Sequence, residues 1–309
     1  MNNQWNQKLE FYEYTKKANP KMPPIQYHAF LSKEHDINKT RLKWLDLSAE
    51  LQTGFRATTP NVLIGFVCLQ AGQSLITTIN ASSHFFYVAK GSGITKSEFG
   101  DCVWQAGDII TFPAARELSH QAQEKSLLYY VNDEPLLSYL GVAPAQAIFS
   151  PTHYPNTAIM EHLHEVRHQA GAGKRNRNGV LIANPVCHLT HTITPTLWAL
   201  YNVITPDQVQ PPHRHNSVAL DFVISAQQGV YSLMSDTIDE NGQLVNPIRA
   251  DWHTHGVFIT PPGLWHSHHN ESDEDAYILP VQDAGLQTQM RTLDIRFARP
   301  VSTNNLSMT

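Results

Sequence analysis

"PPHRHNSVALDFVIS" (residues 211–225) decides how the rest of the chain is read. Two prolines lead into two histidines one residue apart, and an apolar run follows. In an extended strand, residues i and i+2 project to the same face. His213 and His215 then converge on one point, with Arg214 turned away. Two imidazoles so placed form a pincer, and the question is what closes it.

Composition bounds the answer. The chain has 309 residues, 41% hydrophobic and 16% charged. That is enough apolar material for ordered cores, and at ~150 residues per domain it suggests two of them. The net charge of −5 argues against a general nucleic-acid binder, which needs a clustered basic surface. The one short basic cluster, "GKRNRN" (173–178), sits in a Gly-rich connector and reads as a solvated loop. Cys68, Cys102 and Cys187 are widely spaced, with no CxxC, so buried free thiols are expected rather than a disulfide framework or a zinc ribbon. The first residues carry no apolar leader, and no run of about 18 apolar residues offers a membrane span. The expectation is a reduced, cytoplasmic protein that binds neither nucleic acid nor membrane. The unusual number is 17 histidines.

Residues 1–45 are polar and mixed, an arm. Over 46–150, short apolar runs such as "NVLIGFVCL" (61–69), "HFFYVAKGSG" (84–93) and "SLLYYV" (126–131) alternate with turn residues. This is all-β spacing. Within a linker at 151–178, "NTAIMEHLHEVRHQ" (156–169) predicts one helix, with Asn156 as N-cap and Gly171 as the stop. The short-strand pattern returns over 179–309. The two β-rich segments read as a repeat in which "FFYV" (85–88) meets "DFVI" (221–224) and "GDIITFP" (107–113) meets "GVFITP" (256–261). The fold expected is all-β: two tandem barrels joined by a helical linker.

The second barrel resembles the cupin family. One cupin signature is an HxH at the start of a strand, here His213 and His215. The other appears in "GVFITPPGLWHSHHNES" (256–272): Gly256, a short apolar strand, Pro261-Pro262-Gly263, His266 and Asn270. The resemblance implies a double-stranded β-helix in which His213, His215 and His266 bind one metal. Cupins often add a glutamate after the HxH, but Ala219 and Leu220 stand there, which implies a three-histidine site. Such a site keeps open coordination positions, unlike a closed structural zinc site.

Within that family the chain is most similar to the gentisate/salicylate/1-hydroxy-2-naphthoate 1,2-dioxygenase group of bicupins. The matching stretches run over 184–220 and 258–272, and "NDEPLLSYLGV" (132–142) matches a further segment. The resemblance implies O₂-dependent ring cleavage of an aromatic or related small molecule at Fe(II), with Ni, Mn and Zn open. Exposed barrel edges make a homo-oligomer, a dimer or tetramer, the expectation. His268, two residues past the third ligand, is the candidate for hydrogen bonding and proton transfer. Asp221 is the second candidate, because it stands where the group carries an arginine that grips the substrate carboxylate. Either Asp221 faces away, or Arg56 or Arg214 supplies the missing cation, or the substrate is not a simple aromatic acid. By the same alignment the first barrel lacks a metal site: Thr77, Ile79 and Leu118 replace the three histidines, leaving His84 and His120 as core or rim residues.

Other readings stay open. A bicupin can bind a small ligand without oxygen chemistry, or act as an isomerase or lyase. His164-Glu165-Val166-Arg167-His168 matches HExxH and offers a zinc-protease reading. His253 and His255 form a further HxH beside a turn, read as a rim. His269 is expected at the surface.

Overall fold

The computed structural model describes residues 8–34, 38–172 and 175–298. Parts of the predicted arm, Gly173 and Lys174 of the basic cluster, and the end of the chain lie outside them. Each half is a pair of antiparallel sheets. In the first half, a six-stranded sheet runs in the order Thr152–Tyr154, Ile109–Pro113, Ser83–Lys90, Ser126–Asn132, Leu63–Leu69, Arg41–Leu45. It faces a four-stranded sheet that begins with Ser74–Thr77 and Leu118–Ala122. The second half repeats this, its six-stranded sheet centred on Ala219–Ser225, Ala276–Gln282 and Trp198–Ile204. The smaller sheet there runs Ile248–Asp251, Val230–Ser235, Trp265–Asn270, Val209–His215, Ile295–Phe297.

The sequence runs explain the layering. Alternate residues of a strand face opposite ways. Along Ser126–Asn132, Leu128 and Tyr130 fill the first barrel, while Leu127, Tyr129 and Val131 point out of it. Those outward residues are equally buried, because the two large sheets pack back to back. Phe66, Tyr87 and Tyr129 of one half meet Phe222 of the other, with Phe222 stacked on Tyr129 at 4.6 Å between ring centroids. A strand buried on both faces must be apolar throughout, hence runs such as "LLYYV".

The same facing rule corrects the repeat alignment. Phe85 and Leu220 both face the shared core, and Phe86 and Asp221 both face a barrel interior. Phe85 is thus the counterpart of Leu220, one residue back from the alignment expected from sequence. A one-residue slip would turn every side chain to the wrong face.

Paired polar groups fasten the halves together. Asp133 follows the last long strand of the first barrel and Asp283 follows its counterpart in the second. Asp133 accepts from the backbone N–H groups of Ser82 and Ser83, and Asp283 from that of Val218. Each also reaches across: Thr196 Oγ1 donates to Asp133 (3.0 Å) and Asn61 Nδ2 donates to Asp283 (3.1 Å).

The predicted arm is woven into both halves. Ala29–Phe30 pairs with Val257 and Phe258 of the second barrel, and Arg41–Leu45 pairs with Ile64–Cys68 of the first. The helix spans Asn156–His168, with Pro155 at the N-cap position. Asn156 is the first helical residue, and its N–H is satisfied by Asp108 Oδ1 at 2.9 Å rather than by a local side chain. Ile159 and Leu163 bury the inner face of this helix in the shared core.

Truncating Phe222 to Ala should destabilise the fold by about 3–5 kcal/mol, because its ring has partners on both halves. Urea unfolding of Phe222→Ala against the parent checks this; a loss under 1 kcal/mol would refute the shared core as a main source of stability.

Candidate metal centre

Pro211 and Pro212 shape the HxH strand. Proline has no N–H to give the ladder. Pairing with the neighbouring strand runs Gln210 to His268, then skips to His213 opposite His266, a bulge across the two prolines. Bulges bend a strand and re-aim its side chains. On the other edge, His213 and His215 pair with Phe297 and Ile295, so the last described strand closes over the motif.

The rings of His213, His215 and His266 converge. One ligand nitrogen of each lies within 4.8 Å of the others. Metal–nitrogen bonds of ~2.1 Å need nitrogens ~3–3.5 Å apart, which small rotations supply. Two of the rings are oriented from behind: His215 Nδ1–H donates to Ser217 O (2.9 Å) and His266 Nδ1–H to Leu264 O (3.0 Å). Both then turn an Nε2 lone pair to the cavity, the backing usual for metal-ligating histidines. Burial is the leading cause that lowers the pKa of all three, His215 to about 4, so the imidazoles are neutral and able to ligate at neutral pH. No fourth acidic or thiol ligand joins them among the described residues. The donor set fits an open three-histidine metal site.

The cavity around them is small, about 30 Å³, and is walled by Trp198, Leu200, Ala219 and Pro280. A larger cleft of about 590 Å³, beside Ile79, Phe99 and Arg116 of the first half, holds no such cluster. Arg177, Asp221 and His268 also line the three-histidine cavity.

Arg177 corrects an expectation. It belongs to the basic cluster read as a solvated loop, yet its guanidinium is inserted into the site. Nη2 lies 2.5 Å from His213 Nδ1, and Nη1 donates to Pro211 O (3.1 Å) and Asn176 O (2.9 Å). Burial lowers its pKa to about 9, against the attraction of Asp221, so it stays charged at neutral pH. The cations weighed from sequence are elsewhere: Arg56 pairs with Glu134 (3.4 Å) and Arg214 lies over the Trp265 ring. No local signal marks Arg177, because its role comes from a contact with a strand 34 residues away.

Asp221 faces the cavity and is 2% exposed. Thr260 Oγ1 donates to it at 2.5 Å, but burial dominates and pushes its pKa up to about 7. His268 is buried beside the ligands, with Nδ1 2.7 Å from Ser232 Oγ. Ser232 and Trp252, which backs it, went unnoticed in the sequence.

The remaining histidines do not join the cluster. His164 and His168 lie on the exposed side of the helix, and Arg167 between them pairs with Asp275 at 2.7 Å. His168 Nδ1 is bonded to His164 O, and no third ligand stands near among the described residues. His253 is exposed, His255 lies against Phe222, and the half-buried His269 stacks on Tyr231. Cys68, Cys102 and Cys187 are free, and Cys102 is only partly buried.

Solved structures share this architecture. Salicylate 1,2-dioxygenase from Pseudaminobacter salicylatoxidans aligns with a TM-score of 0.70 at 13% identity, over 96% of this chain and 94% of that one. The chain has the bicupin fold, two tandem cupin barrels. A deletion mutant of Bacillus subtilis oxalate decarboxylase aligns less closely with the bicupin, at a TM-score of 0.56 and 14% identity, over 82% and 76% of the two chains. In sequence, the bicupin is 30% identical to gentisate 1,2-dioxygenase 1 of Aquipseudomonas alcaligenes over 128 residues, 41% of its own length and 32% of the relative's. It is 31% identical to a Streptomyces gentisate 1,2-dioxygenase over 114 residues, 37% and 28% of the two. It thus spans about a third of the length of the curated relatives it matches. No family model matches it.

Replacing His213 with Ala should abolish stoichiometric metal binding, whereas His164→Ala should leave it intact. Metal analysis after loading with Fe(II) or Zn(II) and desalting separates the two; equal retention by both variants would exclude the three-histidine site.

Proposed function

We propose that this bicupin is a metal-dependent, ring-cleaving dioxygenase that takes a small aromatic acid and O₂. The observation that carries the reading is the grouping of three neutral imidazoles, with no fourth protein ligand among the described residues, beside a buried guanidinium. A divalent metal held by His213, His215 and His266, Fe(II) in this reading, supplies Lewis acidity and a template for two reactants. The names of the relatives support phenolic acids such as gentisate and salicylate as the first substrates to test. We further place the protein in the cytoplasm as a homo-oligomer; exposed apolar residues such as Ile76 and Val103 on the small sheet of the first barrel support the latter. No described helix is long and apolar enough to cross a membrane.

The chain's own residues divide the work. Arg177 binds the substrate carboxylate, since a planar guanidinium matches a carboxylate through two parallel hydrogen bonds. That role is coupled to the metal ligands. A neutral imidazole cannot accept from Arg177 at Nδ1 and offer Nε2 to a cation at once. Ligation by His213 therefore turns Arg177 away from that ring and frees it for an anion. Trp198, Leu200 and Pro280 wall the cavity and exclude water. His268 holds a proton near the reacting oxygens.

Asp221 sets the pH response. Below about pH 7 its carboxyl is neutral and tolerates an anionic substrate; above that pH it is charged and opposes one. Affinity for an aromatic acid should thus fall as pH rises through about 7.

Oxygen uptake by Fe(II)-loaded protein, with loss of aromatic absorbance, tests the activity on gentisate, salicylate and 1-hydroxy-2-naphthoate. Binding without uptake would sink the dioxygenase reading in favour of a ligand-binding bicupin. Arg177→Gln should keep its metal and raise KM for the acid by about tenfold or more. In Asp221→Asn the rise of KM above pH 7 should flatten; an unchanged profile would remove Asp221 from that role.

A further inference from the structure

The two barrels carry the same hydrogen-bonded chain, although among the described residues only the second holds a cluster of potential metal ligands. In the second barrel, Trp252 Nε1–H donates to Ser232 Oγ (2.9 Å), which lies 2.7 Å from His268 Nδ1. In the first, Trp104 Nε1–H donates to Thr95 Oγ1 (3.0 Å), which lies 2.9 Å from His120 Nδ1. The ladder positions agree: Ser232 stands opposite His268 as Thr95 stands opposite His120.

In the first barrel every proton can be assigned. His120 Nε2 is 3.4 Å from Thr77 Oγ1, and the Thr77 hydroxyl donates to Leu118 O (3.4 Å). Thr95 Oγ1 accepts from Trp104 and gives its hydrogen to His120 Nδ1, so the ring proton sits on Nε2, within reach of Thr77 Oγ1. In the second barrel, Ser232 Oγ already accepts from Trp252 and has no acceptor other than His268 Nδ1 among the described residues. Buried hydroxyls are normally satisfied, so its hydrogen goes to Nδ1 and the ring proton again sits on Nε2. Thr77 faces Leu118 across its ladder as His213 faces His266. By that correspondence the His268 Nε2–H is aimed toward the three-histidine cluster.

We propose that Ser232 and Trp252 are positioning residues that hold His268 as a fixed Nε2–H donor facing the metal-ligand cluster. The hydrogen-bond chain stands on its own geometry, while its use in catalysis rests on the dioxygenase reading. A donor held there favours negative charge on a substrate oxygen; the other tautomer would present a lone pair and oppose it. All three side chains are buried, which keeps water from exchanging the two tautomers. Thr95 in the twin shows that a threonine can replace the serine.

Two readouts test this. In ¹⁵N-histidine-labelled, Zn(II)-loaded protein, two-bond ¹H–¹⁵N spectra should show His268 as the Nε2–H tautomer. Ser232→Ala should lose that preference and Ser232→Thr should keep it. With Fe(II) and gentisate, Ser232→Ala should lower kcat about 10- to 100-fold, with KM and metal content little changed. Ser232→Thr should restore kcat. Thr95→Ala, which breaks the twin chain, should lower Tm and leave kcat and KM unchanged. If Ser232→Ala does not fold, Trp252→Phe removes the other end of the chain and should reduce kcat in the same way. An Nδ1–H tautomer in the parent, or an unaltered tautomer in Ser232→Ala, overturns the proposal. Absence of turnover with all three acids, together with the expected tautomer, overturns the dioxygenase reading and leaves the positioning intact.

Discussion

The back-to-back burial of the two large sheets is the constraint on which everything else rests. Neither large sheet has a solvent face over its central strands, so each central residue must be apolar or hydrogen-bonded within the protein. That demand writes itself into the sequence as continuous apolar runs and fixes the register of every central strand. It also leaves each barrel interior to be filled by alternate residues of its large sheet and by the smaller sheet that faces it. The first interior is packed with Phe86, Phe112, Trp104 and Tyr130. The second has a smaller apolar cluster, with Ala219 and Asp221 on the strand that faces its histidines. A rigid shared wall lets one barrel give up packing for chemistry while the other makes good the lost burial.

Much of this was legible in residues close in sequence. The HxH spacing and the P-x-G turn before His266 bring His213, His215 and His266 together through local geometry, which short motifs record well. The all-β class and the helix over residues 156–168 follow from run length and periodicity. The rest depended on contacts between distant segments. Arg177 reads as a loop cation because its neighbours are glycine, asparagine and further cations; only the return of Pro211 and His213 beside it makes it part of the site. Asn156 resembles an N-cap because the true partner, Asp108, comes from another sheet. Strands assigned to an arm read as polar because they lie at sheet edges, where one side remains open to water.

The Trp–hydroxyl–His chains were hidden for a different reason. Nine residues separate the tryptophan from the hydroxyl residue in the first barrel and 20 in the second. The residues inserted between the Val230–Ser235 and Ile248–Asp251 strands account for the longer separation. An insertion breaks a repeat in sequence while leaving the ladder pairing untouched. What persists in both barrels is the facing of side chains across paired strands, and sequence comparison at a fixed offset is blind to it.

This persistence bears on what made a metal site here. The tryptophan, the hydroxyl and the fourth histidine occur in the barrel that holds ligands and in the barrel that does not. They cannot have been placed for the metal alone. The features peculiar to the second barrel are few: histidines in place of the Thr77, Ile79 and Leu118 counterparts, a Pro-Pro bulge that re-aims one strand, and Arg177 entering from the linker. Of these, Arg177 is the most consequential, because its contact with His213 Nδ1 competes with ligation through the opposite nitrogen. In the proposed site, metal occupancy and anion binding would draw on the same guanidinium. With the donor-histidine chain common to both barrels, the proposed site differs from its twin by the histidines on two facing strands and by one cation from outside the barrel.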